Sequence, residues 1–164
     1  TNWEVTSMPI LIDTRPLGLA LKAPYYGEHH PVRILAEQAQ KFVREQIEHQ
    51  VLAVSPQLLG ELYHVLTERG LRLPKDLAQQ LIEDLLQGAN ILYRSPDASI
   101  VREAIALSAT TCVHVGDFLI VLPFRDVLER IYTMDPHFLS CKELQVAPVE
   151  NPLGLWVTEG KAGS

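Results

Sequence analysis

Four carboxylates stand where short apolar runs give way to turns: Asp13 in Ile-Leu-Ile-Asp-Thr, Glu61 in Leu-Leu-Gly-Glu-Leu, Asp117 in Val-Gly-Asp-Phe-Leu-Ile and Asp135 in Tyr-Thr-Met-Asp-Pro. A charge in such a setting is costly to desolvate unless a partner offsets it. A divalent cation is the simplest partner common to all four, because hard cations take carboxylate oxygens and magnesium retains waters that can serve as nucleophiles. The plainer reading, four unrelated polar ends of buried elements, weakens as the number of such sites rises. Hydroxyls accompany two of the acids, Thr14 directly after Asp13 and Thr133 two residues before Asp135. Each is either an ordinary strand threonine or a donor to a carboxylate or to water held by the metal.

The elements around these residues alternate. Met8 to Ile12 is a continuous apolar run, the pattern of a short strand buried on both faces, and Asp13 lies at its C-terminal end. Lys22 to Pro31 reads as a loop, and Val32 to Ile47 repeats apolar residues at helical spacing. Val51 to Val54 is a second strand, after which Ser55 and Pro56 supply an N-cap and a first-turn proline. The stripe of Leu58, Leu62, Val65 and Leu66 places Glu61 at the flank of a buried helical face. A further helix opens at Pro74 and closes at Gly88, read as a left-handed cap, and Ala89 to Tyr93 is a third strand.

A helix from Asp97 to about Ser108 follows, and 116 to 130 is helical in pattern except for Pro123, which should kink or split it. Residues 131–133 form a fourth strand, 144–146 a candidate fifth, and the chain from Ala147 onward reads as loosely packed. Strands alternating with helices imply crossover units and a mainly parallel sheet covered on both faces, a three-layer α/β/α architecture with ligand sites beyond the C-terminal strand ends. The expected organisation is one domain over 1–150 and a tail over 151–164.

Composition narrows the function. The 164 residues, 47% of them hydrophobic, supply one core, and no apolar run approaches the roughly 18 to 20 residues of a membrane span. The expectation is a soluble, cytoplasmic protein with no membrane partner. A formal net charge of −6 argues against nucleic-acid binding by bulk attraction, so any polyanion must be met locally. Cys112 and Cys141 lack metal-ligand spacing and read as small core residues. No Gly-rich phosphate loop, nucleophile elbow or aspartyl-phosphate motif is present.

With these pieces placed, the chain resembles the PIN domain, the small α/β nuclease fold that includes the VapC-type toxin ribonucleases. The resemblance rests on Leu-Ile-Asp-Thr at 11–14, Ser-Pro-Gln-Leu-Leu-Gly-Glu-Leu at 55–62, Gly-Asp-Phe-Leu-Ile at 116–120 and Tyr-Thr-Met-Asp-Pro-His-Phe at 132–138, in that order. It implies a metal-dependent endoribonuclease that cleaves single-stranded RNA with Mg²⁺ or Mn²⁺, with Asp13, Glu61, Asp117 and Asp135 as its catalytic, metal-binding set. Asp13 and Asp117 are the first choices as direct ligands, while Glu61 and Asp135 bind through water or orient the attacking water. The resemblance also implies an antitoxin protein as partner and a homodimer, for which Leu77, Leu81 and Leu85 offer apolar surface unless they are core.

Two residues depart from the pattern. Arg15 stands where the family usually carries asparagine, and it either pairs with Asp13 in competition with the cation or reaches the substrate phosphate. Pro123 lies within the stretch expected to present Asp117. Both leave room for the alternative of a weak or inactive PIN-fold protein-binding module. Among the remaining candidates, His29 and His30 read as an exposed loop, and Arg69, Arg72 and Lys75 as helix-end charges or RNA-backbone contacts. Tyr25, Tyr26 and Phe138 read as packing residues before base-stacking ones.

Overall fold

The computed structural model describes residues 8–157, and its centre is a five-stranded sheet in the order β3-β2-β1-β4-β5 in which every pairing is parallel. The strands are β1 (Pro9–Ile12), β2 (Val51–Val54), β3 (Asn90–Tyr93), β4 (Arg130–Tyr132) and β5 (Val149–Glu150). β1 is buried throughout because it pairs on both sides, with Ile10 opposite Leu52 of β2 and Leu11 opposite Ile131 of β4. That placement accounts for its unbroken apolar run. At the far edge, β3 is only half covered and Tyr93 is exposed.

Helices α1 (Thr14–Lys22), α2 (Arg33–His49), α3 (Pro56–Glu68), α4 (Lys75–Gly88), α5 (Ala98–Thr111), α6 (Val115–Val121) and α7 (His137–Ser140) connect the strands. α3 begins as expected, with the Ser55 hydroxyl accepting from the Leu58 amide at 3.2 Å and Leu58, Leu62 and Leu66 turned into the core. α1 has no counterpart among the expected elements, and it contains Pro16 and Gly18, both of low helix propensity. Pro16 falls in the first turn, where no intrahelical amide donor is needed. Gly18 faces Val65 of α3 so closely that a β-carbon there would lie 2.6 Å from Val65 Cγ1.

Several expectations are corrected. Residues 144–146 are not a strand: Lys142–Leu144 is a 3₁₀ turn that buries Leu144, and the fifth strand is Val149–Glu150. It extends the sheet through Ile131 N–H to the Pro148 carbonyl at 2.9 Å and Thr133 N–H to the Glu150 carbonyl at 3.0 Å. The stretch over 116–130 is split near Pro123, as expected, into the seven-residue α6 and a 3₁₀ turn, Leu122–Phe124, but the helix does not resume after it. Pro123 is the second residue of that turn, so it lies beyond the helix carrying Asp117. Gly88 belongs to the last turn of α4, whereas Gly70, with φ 50°, is a left-handed glycine between α3 and α4.

Cys112 is exposed and left-handed, with φ 62°, at the C-terminus of α5, while Cys141 is buried as expected. Phe138 is fully buried and Tyr26 nearly so, which makes both packing residues. Leu85 is buried, whereas Leu77 and Leu81 are partly covered against the same core. After β5 the described chain, to residue 157, is held by Asn151, which accepts from the amides of Leu153 and Gly154, and by Val157 N–H, which donates to the Met134 carbonyl at 2.8 Å; the rest of the expected tail lies outside the described residues.

Candidate active site

The end of β1 fixes the first acid. Asp13 is the N-cap of α1, its Oδ1 accepting from the Thr14 amide at 2.8 Å. Its amide donates to the Tyr132 carbonyl of β4 at 2.9 Å, which binds the ends of the two central strands together. Immediately after β4, the fully buried Thr133 hydroxyl donates to Asp13 Oδ2 at 2.8 Å. The same hydroxyl accepts from the Asp135 amide at 3.0 Å. A single oxygen thus holds the two aspartates in register.

Asp135 and His137 form the next pair. Asp135 Oδ1 accepts from the His137 amide at 2.9 Å, which starts α7. The His137 Nδ1 stands 3.1 Å from that oxygen, but in a direction that makes no hydrogen bond, although the atom is buried. A buried ring nitrogen beside a carboxylate, without a hydrogen bond, is suited to a cation as common partner.

Asp117 sits in the first turn of α6, and Glu61 is on the flank of α3. Gly116 allows these elements to approach: a β-carbon there would lie 3.0 Å from Glu61 Oε1 and 3.0 Å from Gln57 Nε2. The Gly116 amide is itself capped by Nδ1 of His114 at 3.2 Å, so the turn preceding Asp117 is fixed by a side chain. Asp13, Glu61, Asp117 and Asp135 all line one cavity of about 510 Å³ beyond the C-terminal ends of the central strands. Donor atoms of Asp117, Asp135 and His137 lie within 4.8 Å of one another.

Two carboxylates and an imidazole at that spacing fit a divalent cation such as Mg²⁺ or Mn²⁺, the nitrogen being better suited to manganese. His137 is the donor that sequence reasoning missed. Its signal was its position two residues after Asp135, within the motif that carried the resemblance.

The cavity also has cationic walls. Arg15 and Lys22 of α1, and Arg69 just after α3, contribute to its lining. Arg15 lines the cavity beside Asp13, whose oxygens accept from the Thr14 amide and the Thr133 hydroxyl. Lys22 is 4% exposed, and its Nζ donates to the Arg69 carbonyl at 2.6 Å. Burial, with the positive charge of Arg15 as a smaller cause, pushes the Lys22 ammonium from its usual 10.5 down to about 8. His30 lies in the cavity wall, while Arg72 and Lys75 are exposed and outside its lining.

This topology and the placement of the acids define a PIN-type α/β/α fold. A chain in the crystal structure of VapBC2 from Rickettsia felis bound to a DNA fragment from their promoter is similar, with a TM-score of 0.56 and 14% sequence identity, over 88% of the present chain and 98% of that one. At that identity the likeness speaks for the fold. No family model and no curated relative matches the chain.

Proposed function

We propose that this protein is a metal-dependent endoribonuclease that hydrolyses phosphodiester bonds of single-stranded RNA, working as the toxin of a toxin and antitoxin pair. The observation that carries this reading is the convergence of four carboxylates, from chain segments as far apart as residues 13 and 135, on one cavity at the C-terminal edge of a parallel sheet. Such crevices are where open α/β sheets place their chemistry. The similarity to a chain of the VapBC2 complex supports the assignment to the toxin partner and an antitoxin as its protein ligand.

Asp117, Asp135 and His137 would hold the divalent ion, with Asp13 presented to the same space by Thr133. When bound, the ion supplies charge stabilisation at the phosphoryl oxygen and a lowered pKa for water. Glu61, packed against Gly116 in the cavity wall, would accept a proton from the attacking water. Arg15 lines the same cavity and would contact a substrate phosphate there.

The test is cleavage of single-stranded RNA with Mg²⁺ or Mn²⁺, with and without chelator, in the parent and in Asp13→Asn and Asp117→Asn. Both variants should lose activity by at least about a hundredfold while keeping the parental circular dichroism. Either ion should raise the melting temperature of the parent, as mass action requires of a ligand of the folded state. A parent inert with both ions, or variants that cleave at the parental rate, would replace the nuclease with a PIN-fold binding module.

A further inference from the structure

The cavity that holds the acids has a second, oppositely charged end. Along α1 the residues lining it are Thr14, Arg15, Leu19 and Lys22, the last three at the i, i+4 and i+7 spacing of one helical stripe that starts next to the Asp13 cap. Along α3 the matching wall runs from Glu61 past Val65 to Arg69. The two helices lie side by side with almost no space between them at Gly18 and Val65, and the Lys22 ammonium closes their far ends on the Arg69 carbonyl. Carboxylates therefore occupy the end near the sheet and ammonium and guanidinium groups the other.

We propose that Lys22 forms an anion subsite that takes a backbone phosphate of the substrate strand a few nucleotides from the bond cleaved at the acidic end. The substrate class rests on the nuclease reading, whereas the anion site itself does not. A plainer role exists for Lys22, since its ammonium caps the C-terminus of α3, where a positive charge meets the helix dipole. That role uses one of three ammonium donors and needs neither burial nor a second cation nearby. Lys22 is 4% exposed, faces the cavity and shares it with Arg15, an arrangement that disfavours its own charge until an anion arrives.

The nine residues of α1 at about 1.5 Å each separate the two ends by roughly 13 Å. About four stacked nucleotides at roughly 3.4 Å cover that distance. The effect of Lys22 must therefore depend on substrate length.

The experiment compares Lys22→Met and Lys22→Arg with the parent on a single-stranded RNA octamer and on a dinucleotide. For the octamer, Lys22→Met should raise KM by about tenfold with little change in kcat, the loss expected of one charge-assisted contact. For the dinucleotide it should change neither. With chelator present to prevent cleavage, the salt slope of octamer binding should fall by about 0.7, one phosphate contact on a single strand, and Lys22→Arg should recover it. Inorganic phosphate should raise the melting temperature of the parent more than that of Lys22→Met.

Equal losses on both substrates, or a parental salt slope in Lys22→Met, would reduce the lysine to a helix cap and overturn the subsite. If the parent neither binds nor cleaves RNA, the nuclease reading fails and the phosphate measurement alone decides. A phosphate shift that depends on Lys22 upholds the anion site, and its absence removes it.

Discussion

Thr133 has more influence on the acidic centre than its size suggests. Its hydroxyl donates to Asp13 and accepts from the Asp135 amide, so one buried oxygen orients acids that lie 122 residues apart in the chain. Groups that orient ligands typically alter metal affinity or activity by about 10- to 100-fold when removed. Thr133→Val, which keeps the shape and loses the hydroxyl, should raise the Mn²⁺ concentration for half-maximal cleavage by that factor, and Thr133→Ser should restore it. An unchanged metal titration in the valine variant would show that Asp13 holds its place unaided. At this scale Asp13, Glu61, Asp117 and Asp135 were legible because a carboxylate beside an apolar run stands out locally. Lys22 was not, because nothing in Leu-Lys-Ala-Pro marks a lysine whose burial is imposed by a distant helix end.

Among the elements, the contact between α1 and α3 decides the form of the cavity. Gly18 is required there for space, as Val65 Cγ1 occupies the position a side chain would take, at 2.6 Å. Alanine would gain roughly 1 kcal/mol of helix propensity. The clash outweighs this, because Val65 is β-branched and has little rotamer freedom with which to retreat. Gly18→Ala should destabilise the fold by about 1–3 kcal/mol, the usual effect of overpacking, and much of that loss should disappear in a Val65→Ala background. Urea unfolding of the double-mutant cycle measures the coupling. The sequence concealed α1 for the same reason. A glycine that admits a neighbouring helix and a proline in a first turn look locally like a loop, and only the neighbour distinguishes them.

For the molecule as a whole, a net charge of −6 coexists with a cavity that is basic at one end. Overall charge therefore says little about the polyanion the protein could hold, since local arrangement sets the field a substrate meets. The buried ammonium also affects global stability. With its folded pKa lowered from 10.5 to about 8, Lys22 is deprotonated in the native protein and protonated in the unfolded chain between those values. The unfolded state binds the additional proton there, so the Lys22 contribution to stability rises with pH across that window and is flat below it. Urea midpoints at pH 8 and pH 10 should show an upward component in the parent that Lys22→Met lacks. Equal pH slopes in the two proteins would mean that the ammonium titrates as if exposed.

By itself the amino-acid sequence determined the buried strand at 9–12, the helix after Ser55, the alternation that leads to a parallel sheet, and which four acids stand at the ends of apolar runs. These follow from local pattern, because burial on both faces, capping and turn chemistry are encoded within a few residues. The tertiary structure decided that Pro123 lies beyond the helix of Asp117, that His137 joins the acids, that the last strand is 149–150, and that Lys22 closes the opposite end of the same cavity. Each depends on which segments become neighbours, and that is settled by the packing of the whole chain around its sheet, since residues that meet in the cavity leave no mark of their partners in the stretches that carry them.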